Sequence, residues 1–239
     1  MNLLIPMAGE GNRFKLAGYK QPKPLIDING KTMIQRVIEN IKHNELKFIF
    51  CVNKQQVIDW QLDKLLKSYI DCEIVIIDKL TEGPVCSCLW AINYINNFEE
   101  LIILNCDQII KDWNFDKFNL FCRANFDISN GIIGIFSSNN VKNSYAKIDN
   151  DFIIELREKQ VISNYATNGL HYWKHGYLFI NSAIQMILNN DRVNNEFYVA
   201  PTFNYLIKTG SKILPYFFNE HFPIGTPEDI ERYKKLENF

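Results

Sequence analysis

The chain lacks any strong excess of charge, since its 239 residues hold 26 Lys and Arg against 27 Asp and Glu. It has no long block of Lys or Arg and no stripe of interleaved basic and aromatic residues, which disfavours a general nucleic-acid surface. No apolar run approaches the roughly 18 residues of a membrane span. We therefore expect no nucleic-acid partner and no membrane partner, and small-molecule chemistry is the better starting point.

The six cysteines show no zinc-site pattern, and most of them lie inside apolar runs. Cys86-Ser-Cys88 has no second cysteine pair or histidine cluster at zinc-ligand spacing. The N-terminus does not combine a cationic segment, an apolar stretch and a small-residue cleavage site, as a secretory signal would. We therefore expect buried thiols and a cytoplasmic, reducing location.

Four short apolar runs in the first half do not alternate with polar residues, which is typical of strands covered on both faces. They lie at residues 3–6, 48–52, 73–77 and 101–104. Between them, apolar residues recur at helical spacing in residues 33–41, 57–66 and 85–95. This order predicts a parallel, doubly wound α/β sheet.

After about residue 125 the pattern changes to short alternating segments, which indicate antiparallel sheet. They lie at residues 131–136, 145–148, 152–156 and 170–173, and further elements are predicted as helices at 178–188 and 198–207 and a strand at 212–217. Thr226-Pro-Glu-Asp predicts the start of a terminal helix. No Gly-, Pro- or Ser-rich linker divides the chain, so we expect a single domain over residues 1–239, with halves at 1–125 and 126–239.

A glycine-bearing loop with well-spaced cations follows the first apolar run. Gly9 and Gly11 let the backbone turn sharply and approach a ligand, so that successive N–H groups can converge on anionic oxygens. Arg13 and Lys23 add full positive charge in a nearly neutral chain. This combination predicts a site for the phosphates of a nucleotide.

Two other phosphate-binding patterns fit this chain less well. The third glycine of a dinucleotide-binding fingerprint would fall at Phe14. Gly30-Lys31-Thr32 has the ending of a Walker A loop, but no glycine-rich loop precedes it. A plain surface loop would account for any one of these residues but not for the whole set.

Asp107 follows the apolar run at 101–104, where open α/β sheets place their ligands. Mg²⁺ prefers oxygen ligands and often takes only one or two from the protein, while phosphates and water supply the others. The alternative is that Asp107 only caps a turn. Its position opposite the glycine loop favours a metal ligand.

These motifs together resemble the sugar-phosphate nucleotidylyltransferase family, also called nucleoside-triphosphate transferases. The matching motifs, in order over residues 1–235, are Gly9-Glu-Gly-Asn-Arg13-Phe14, Pro22-Lys-Pro-Leu25, Thr81-Glu-Gly83, Asp107, Glu158-Lys159 and Asn168-Gly169. The resemblance implies a Rossmann-like, GT-A-like α/β fold, with a mixed, mainly parallel sheet flanked by helices and a small antiparallel sheet.

The resemblance also implies a reaction. A phosphate oxygen of an acceptor would attack the α-phosphorus of a nucleoside triphosphate in line and release pyrophosphate. Arg13 and Lys23 would stabilise charge on the α-phosphoryl group and the leaving pyrophosphate, and Mg²⁺ on Asp107 would bridge phosphate oxygens. These three are the implied catalytic residues, and Asp107 is the implied metal ligand.

The two halves of the chain receive separate binding roles from the resemblance. Residues 1–125 would bind the nucleotide through Met7, Ala8, Gly9, Gly11, Asn12, Arg13, Lys23, Thr81, Glu82 and Gly83. Residues 126–239 would bind the acceptor through Tyr145, Glu158, Lys159, Asn168 and Glu196. Without the family pattern, Thr81-Glu-Gly83 is equally well a plain turn and Glu158-Lys159 an ordinary exposed pair.

The chain departs from the family near its C-terminus. Many relatives complete the metal site with an Asp or Asn just ahead of a Gly-Thr pair, where this chain has Pro223. A proline side chain cannot bind a metal. Either Asp107, water and phosphates suffice, or Glu228 or Asp229 substitutes, and the second ligand stays open.

The substrates are less determined than the reaction class. The motifs are most similar to capsule or surface-glycan members, several of which resemble cytidylyltransferases, so CTP is favoured. One such activity is CTP:phosphoglutamine cytidylyltransferase, whose acceptor is an amide-linked phosphate of L-glutamine, and a sugar 1-phosphate with another nucleotide is the broader alternative. A GT-A glycosyltransferase, a silent nucleotide-binding regulator and a homodimer also stay open.

Overall fold

The computed structural model describes residues 1–237. The last two residues of the expected domain, 238 and 239, lie outside this part. The described strands are β1 (Asn2–Pro6), β2 (Asp27–Ile28), β3 (Lys31–Thr32), β4 (Lys47–Asn53), β5 (Cys72–Ile77), β6 (Leu101–Leu104), β7 (Gln108–Ile110), β8 (Gly131–Ser137), β9 (Ser144–Asp149), β10 (Phe152–Glu158), β11 (Tyr165–Trp173), β12 (Ile213–Phe217) and β13 (His221–Pro223).

Helices lie between these strands. The described ones are α1 (Asn12–Leu16), α2 (Met33–Ile41), α3 (Lys54–Trp60), α4 (Leu62–Tyr69), α5 (Pro84–Leu89), α6 (Ile92–Ile95), α7 (Phe115–Ala124), α8 (Gly176–Leu188), α9 (Phe203–Lys208) and α10 (Pro227–Glu237), with 3₁₀ turns at Lys23–Leu25 and Ala200–Thr202. None of the helices in residues 1–237 has the length and apolar character needed to cross a membrane.

Four parallel strands form the first part of one large sheet, in the spatial order β6, β1, β4, β5. Successive side chains of β1 enter opposite cores, since Leu3 and Ile5 pack on one face and Leu4 on the other. All three are fully buried. The expectation of strands covered on both faces is confirmed for β1, β4 and β6, but it is wrong for β5, which lies at the edge of the sheet and leaves Ile76 44% exposed. The parallel, doubly wound first half is confirmed.

The second half continues the same sheet with antiparallel strands. β11 pairs antiparallel with β6 and carries the sheet on to β9, β10 and β8, and β12 joins β8 in parallel. Two small antiparallel ladders, β2 with β3 and β7 with β13, lie apart from the large sheet. The fold class expected from the sequence is therefore confirmed.

Three predicted helices differ from the structure in a physically clear way. The helix expected over 57–66 is split by Gln61, whose φ of +50° is left-handed, and the one over 85–95 is split into α5 and α6. The helix expected from residue 198 starts only at Phe203, after a 3₁₀ turn that contains Pro201. Thr226 does cap α10, since its Oγ1 accepts from the N–H of Asp229 at 3.2 Å.

Candidate active site

The candidate site lies where the chain reverses its direction of winding across the sheet. β4 flanks β1 on one side and β6 flanks it on the other, so the loops after β1 and β6 diverge at their carboxyl ends. Ligands of open α/β sheets bind in such a crevice. Here it holds a cavity of about 380 Å³.

The glycine loop after β1 forms one wall of this cavity. Gly11 has a φ of +67°, and a Cβ there would lie 3.0 Å from Cβ of Lys23, so the close approach of the two segments favours glycine. α1 begins directly after it. The cavity is lined by nine of the ten residues assigned to the nucleotide, namely Met7, Ala8, Gly9, Gly11, Asn12, Arg13, Lys23, Thr81 and Gly83.

Lys23 lines the cavity and forms an ion pair with Asp107, with Nζ and Oδ2 2.5 Å apart. Asp107 itself does not line the cavity, but its neighbour Cys106 does. The side chains of Lys23 and Asp107 are only 17% and 22% exposed. Burial works against both charges, but the attraction between them outweighs it, raising the pKa of Lys23 and lowering that of Asp107. Both groups are therefore charged, and they lie beside the loops that follow β1 and β6.

The C-terminal ladder fixes the position of Asp107. Its carbonyl accepts from the N–H of Ile224 at 2.8 Å. A Cβ on Gly225 would lie 2.5 Å from Oδ2 of Asp107, so only glycine leaves room for the carboxylate there. Pro223 pairs with Gln108, one residue from Asp107, and so the non-ligating residue noted in the sequence lies beside the expected metal ligand.

The residues at this position fit a magnesium ion that is shared with phosphates. Asp107 offers a half-buried carboxylate at the carboxyl end of β6. Within residues 1–237, no three His, Cys, Asp or Glu side chains form a metal-binding group. Glu228 is fully exposed, and hydrogen bonds at the start of α10 lower its pKa. Asp107 would therefore be the carboxylate that holds Mg²⁺, with substrate phosphates and water as further ligands.

The loop before α5 forms the opposite wall. Gly83 has a φ of +114°, and a Cβ there would lie 2.6 Å from the backbone nitrogen of Phe197. Thr81 lines the cavity and its hydroxyl hydrogen bonds to that of Ser87 at 2.7 Å. Glu82 does not line the cavity, because its carboxylate turns outward to Arg192, with Oε2 and a guanidinium nitrogen 2.5 Å apart.

Three of the five predicted acceptor residues gather near this wall. Glu196 lines the cavity itself. Lys159 donates to the hydroxyl of Tyr198 at 2.5 Å, and its ammonium lies 4.5 Å from the centre of that ring. Glu158 accepts a hydrogen bond from Ser144. Burial raises the pKa of Glu158, the field of Glu196 adds to the rise, and Ser144 and Lys159 oppose it.

The other two predicted acceptor residues are buried away from the cavity wall. Tyr145 is fully buried, and its hydroxyl donates to the carbonyl of Asn140 at 3.0 Å. Asn168 is 1% exposed, and its Oδ1 accepts from the N–H of Leu170 at 3.1 Å, within the irregular part of β11. The structure places neither of them on the cavity wall.

Three residues at the site were not found by sequence reasoning. Tyr198 holds Lys159, Arg192 holds Glu82, and Gly225 makes room for Asp107. Burial raises the pKa of Tyr198, and its hydrogen bond to Glu196 adds to that. For Tyr198 and Gly225, the only signal in the sequence is that each lies close to a motif. Tyr198 follows Glu196 by two residues, and Gly225 belongs to the Gly-Thr pair.

Comparison with known proteins agrees with this geometry. Residues 3–114 match the model of the MobA-like NTP transferase domain. The chain is 31% identical to the bifunctional protein GlmU of Methanococcus maripaludis over 114 residues, which cover 47% of this chain and 26% of that protein. It is 24% identical to GlmU of Methanococcus vannielii over 96% of this chain and 53% of that protein. The chain thus spans from a quarter to about half of the length of these relatives.

Solved structures show the same fold over the whole chain. A nucleoside-diphosphate-sugar pyrophosphorylase from Vibrio cholerae has a TM-score of 0.84 at 20% identity, covering 98% of this chain and 99% of that one. The inositol-1-phosphate CTP transferase of T. maritima has a TM-score of 0.76 at 14% identity, covering 99% of this chain and 94% of that one. These similarities establish the nucleotidyltransferase fold.

Proposed function

We propose that this protein is a Mg²⁺-dependent nucleotidylyltransferase that joins a nucleoside triphosphate to a phosphorylated acceptor and releases pyrophosphate. The observation that carries the proposal is the cavity at the switch point of the sheet. On one side it has Arg13, Lys23 and the glycine loop, and on the other it has Glu196. Such a site can hold two anionic substrates in one register, which is itself a large part of catalysis.

The residues would act on charge and position. Arg13 and Lys23 would bind triphosphate oxygens, and their fixed charges would stabilise negative charge as it develops on the leaving pyrophosphate. Asp107 would hold Mg²⁺, which supplies a cation that bridges phosphate oxygens. The acceptor phosphate is already an anion, so the reaction needs no protein nucleophile. In the absence of substrates Lys23 neutralises Asp107, and triphosphate oxygens would replace this contact.

We favour CTP as the nucleotide and L-glutamine phosphate as the acceptor, giving an activated precursor for capsule or surface glycan. CTP is the nucleotide named for the T. maritima protein of the same fold. An acceptor with both an ammonium and a carboxylate would suit Glu158 and Glu196 beside Lys159, since these supply both signs of charge. The motif similarity noted above points to the same subtype.

A sugar 1-phosphate is the second candidate acceptor. It is favoured by the names of two neighbours in fold, a putative glucose-1-phosphate thymidylyltransferase from Bacillus anthracis with a TM-score of 0.74 and a UDP-glucose pyrophosphorylase with a TM-score of 0.76. Sugar hydroxyls could donate to Glu158 and Glu196 in place of an ammonium. Comparing the two acceptors directly will decide between them.

The cellular setting belongs to the same proposal. We expect the enzyme to work in the cytoplasm, where nucleoside triphosphates are made, as a single domain over residues 1–239, and a homodimer is an arrangement to be tested by light scattering. The two halves would act as one unit, since one large sheet runs through both. None of these expectations alters the assignment of the reaction.

The test is a pyrophosphate-release assay with Mg²⁺, each of the four nucleoside triphosphates, and a panel containing L-glutamine phosphate and several sugar 1-phosphates. We expect release with CTP and one phosphorylated acceptor, and loss of release in Lys23→Ala. Lys31→Ala is the matched control, since Lys31 makes an exposed ion pair with Glu39 outside the cavity. No release with any pair in the panel would contradict the proposal.

A further inference from the structure

Two segments on the same side of the cavity, the loop before α5 and the segment that carries Glu196, are joined by backbone hydrogen bonds. The N–H of Phe197 donates to the carbonyl of Glu82 at 2.8 Å, and the N–H of Val85 donates to the carbonyl of Phe197 at 3.1 Å. Gly83 lies against the backbone of Phe197, where a Cβ would be only 2.6 Å from its nitrogen. The loop at 81–85, which would bind the nucleotide, and the segment at 190–198, which carries Glu196 and Tyr198, therefore pack as one unit.

The segment at 190–198 has little regular structure of its own. Asn190, Asn194 and Asn195 have left-handed φ values of +50°, +48° and +64°, a conformation typical of asparagine in turns rather than in helices or strands. A single antiparallel bridge, Val193 with Glu196, is its regular pairing. Its shape must therefore be held by other contacts.

One side chain provides those contacts. Arg192 donates through Nε to Oδ1 of Asn190 at 2.6 Å and through a terminal nitrogen to the carbonyl of Asn195 at 3.3 Å. Its other terminal nitrogen pairs with Glu82 at 2.5 Å, and its guanidinium lies 4.1 Å from the centre of the Phe197 ring. The planar, five-donor guanidinium of arginine can make all four contacts at once, and the lysine ammonium cannot.

We propose that Arg192 is a positioning residue that couples the two substrate sites. It rests on the proposed function, in which loop 81–85 binds the nucleotide and Glu196 and Tyr198 serve the acceptor. Arg192 fixes the loop at 81–85 through Glu82. It fixes the segment at 190–198 through Asn190, Asn195 and Phe197. Nucleotide binding at loop 81–85 would thereby hold Glu196 in place for the acceptor.

Hydrogen exchange of the ligand-free protein tests the coupling without any substrate. In Arg192→Gln we expect amide exchange to rise about tenfold in both 81–85 and 190–198, with exchange in the strands of the large sheet unchanged. Arg123→Gln is the matched control, because Arg123 also pairs with a carboxylate at 2.5 Å, that of Glu100, and lies over an aromatic ring. A rise confined to 190–198 would overturn the proposal.

Kinetics of the same variants provides the second readout. We expect Arg192→Gln to raise KM for the acceptor about tenfold while its affinity for the nucleotide alone changes less than threefold, and Arg192→Lys to recover only part of this. A merely structural role would lower the melting temperature and leave KM unchanged, and that result would overturn the proposal. If the wild type releases no pyrophosphate at all, the proposed function fails, and the exchange experiment still decides whether Arg192 couples the two segments.

Discussion

The two sides of the cavity are built in different ways. The side proposed for the nucleotide consists mainly of one short segment, Pro6 to Phe14, which includes the glycine loop and is joined by Lys23 and Pro24. The acceptor side is assembled from side chains that lie far apart in the chain, with Lys159 and Glu158 at the end of β10 and Tyr198 and Glu196 before α9. The backbone geometry of glycine therefore determines the shape of the first side, and contacts between side chains determine the shape of the second.

This difference indicates which side of the cavity can adapt to a different ligand. A backbone loop binds phosphate oxygens that every nucleoside triphosphate shares, so its demands on the sequence are strict. A cluster of charged and hydroxyl side chains can exchange one member at a time, so it can follow a changing acceptor. We expect substitutions on the nucleotide side to remove activity, and those on the acceptor side to shift KM.

Lys23→Ala is the sharpest test of the nucleotide side. It removes a cation from the proposed phosphate site and leaves Asp107 without its partner, and we expect kcat/KM to fall by about 10²- to 10³-fold. The pyrophosphate assay measures the loss, and circular dichroism shows whether the fold is kept. A loss of tenfold or less in kcat/KM would mean that substitutions on the two sides of the cavity have effects of similar size.

Lowering the pH tests the stability of β11, the strand that joins the first half of the sheet to the second. His171 lies on β11 between β6 and β8, and burial lowers its pKa to about 4, opposed by the carbonyls of Ile103 and Gly169. A folded-state pKa below the unfolded value of 6.5 stabilises the protein above pH 6.5, and this contribution is lost as pH falls towards 4. Urea unfolding at pH 7 and pH 5 should differ by roughly 2 kcal/mol from this group.

The non-titrating variant His171→Gln provides the control for that measurement. It should be less stable at pH 7 and should lose less on going to pH 5, because one proton no longer binds on unfolding. An unchanged dependence on pH would show that His171 does not contribute.

Tyr198→Phe tests the acceptor side. The change keeps the ring under the Lys159 ammonium and removes the hydroxyl that accepts its hydrogen bond. We expect KM for the acceptor to rise about tenfold with little change in nucleotide affinity, since a hydrogen bond to a charged group contributes about 1.5–3 kcal/mol. Equal loss of affinity for both substrates would break the division between the two sides.

Pro223→Asp should have the smallest effect. Pro223 is exposed and lies next to the Asp107 segment, so a carboxylate there would offer the metal a second oxygen ligand. We expect the Mg²⁺ concentration for half-maximal rate to fall about threefold, an effect of less than 1 kcal/mol. A titration of rate against Mg²⁺ measures this, and a rise in the required concentration would contradict the assignment of Asp107.

The sequence is informative where one segment decides the structure. Leu3, Leu4 and Ile5 form a continuous buried run, and their strand was predicted to within one residue. Gly11 and Lys23 could be assigned to a predicted phosphate site because each belongs to a short motif in the same N-terminal segment. Asp107 could be placed because it directly follows a predicted strand.

The sequence is uninformative where distant segments decide it. Gln61 carries no sign that it adopts a left-handed φ, so the break between α3 and α4 was missed. Arg192 meets Glu82 across 110 positions of the chain, and Gly225 is needed only because Asp107 lies against it. Glu82 was predicted to face the nucleotide, but the tertiary contact with Arg192 turns it outward.

The central claim is that one cavity binds a triphosphate on its glycine-loop side and a phosphorylated acceptor on its Glu196 side. The most direct measurement is ³¹P NMR of the wild-type protein with Mg²⁺, CTP and the acceptor that supports release. The account predicts one pyrophosphate for each new cytidine diphosphate linkage, with both signals absent in Lys23→Ala. Release of pyrophosphate together with free CMP, and no linked product, would contradict it.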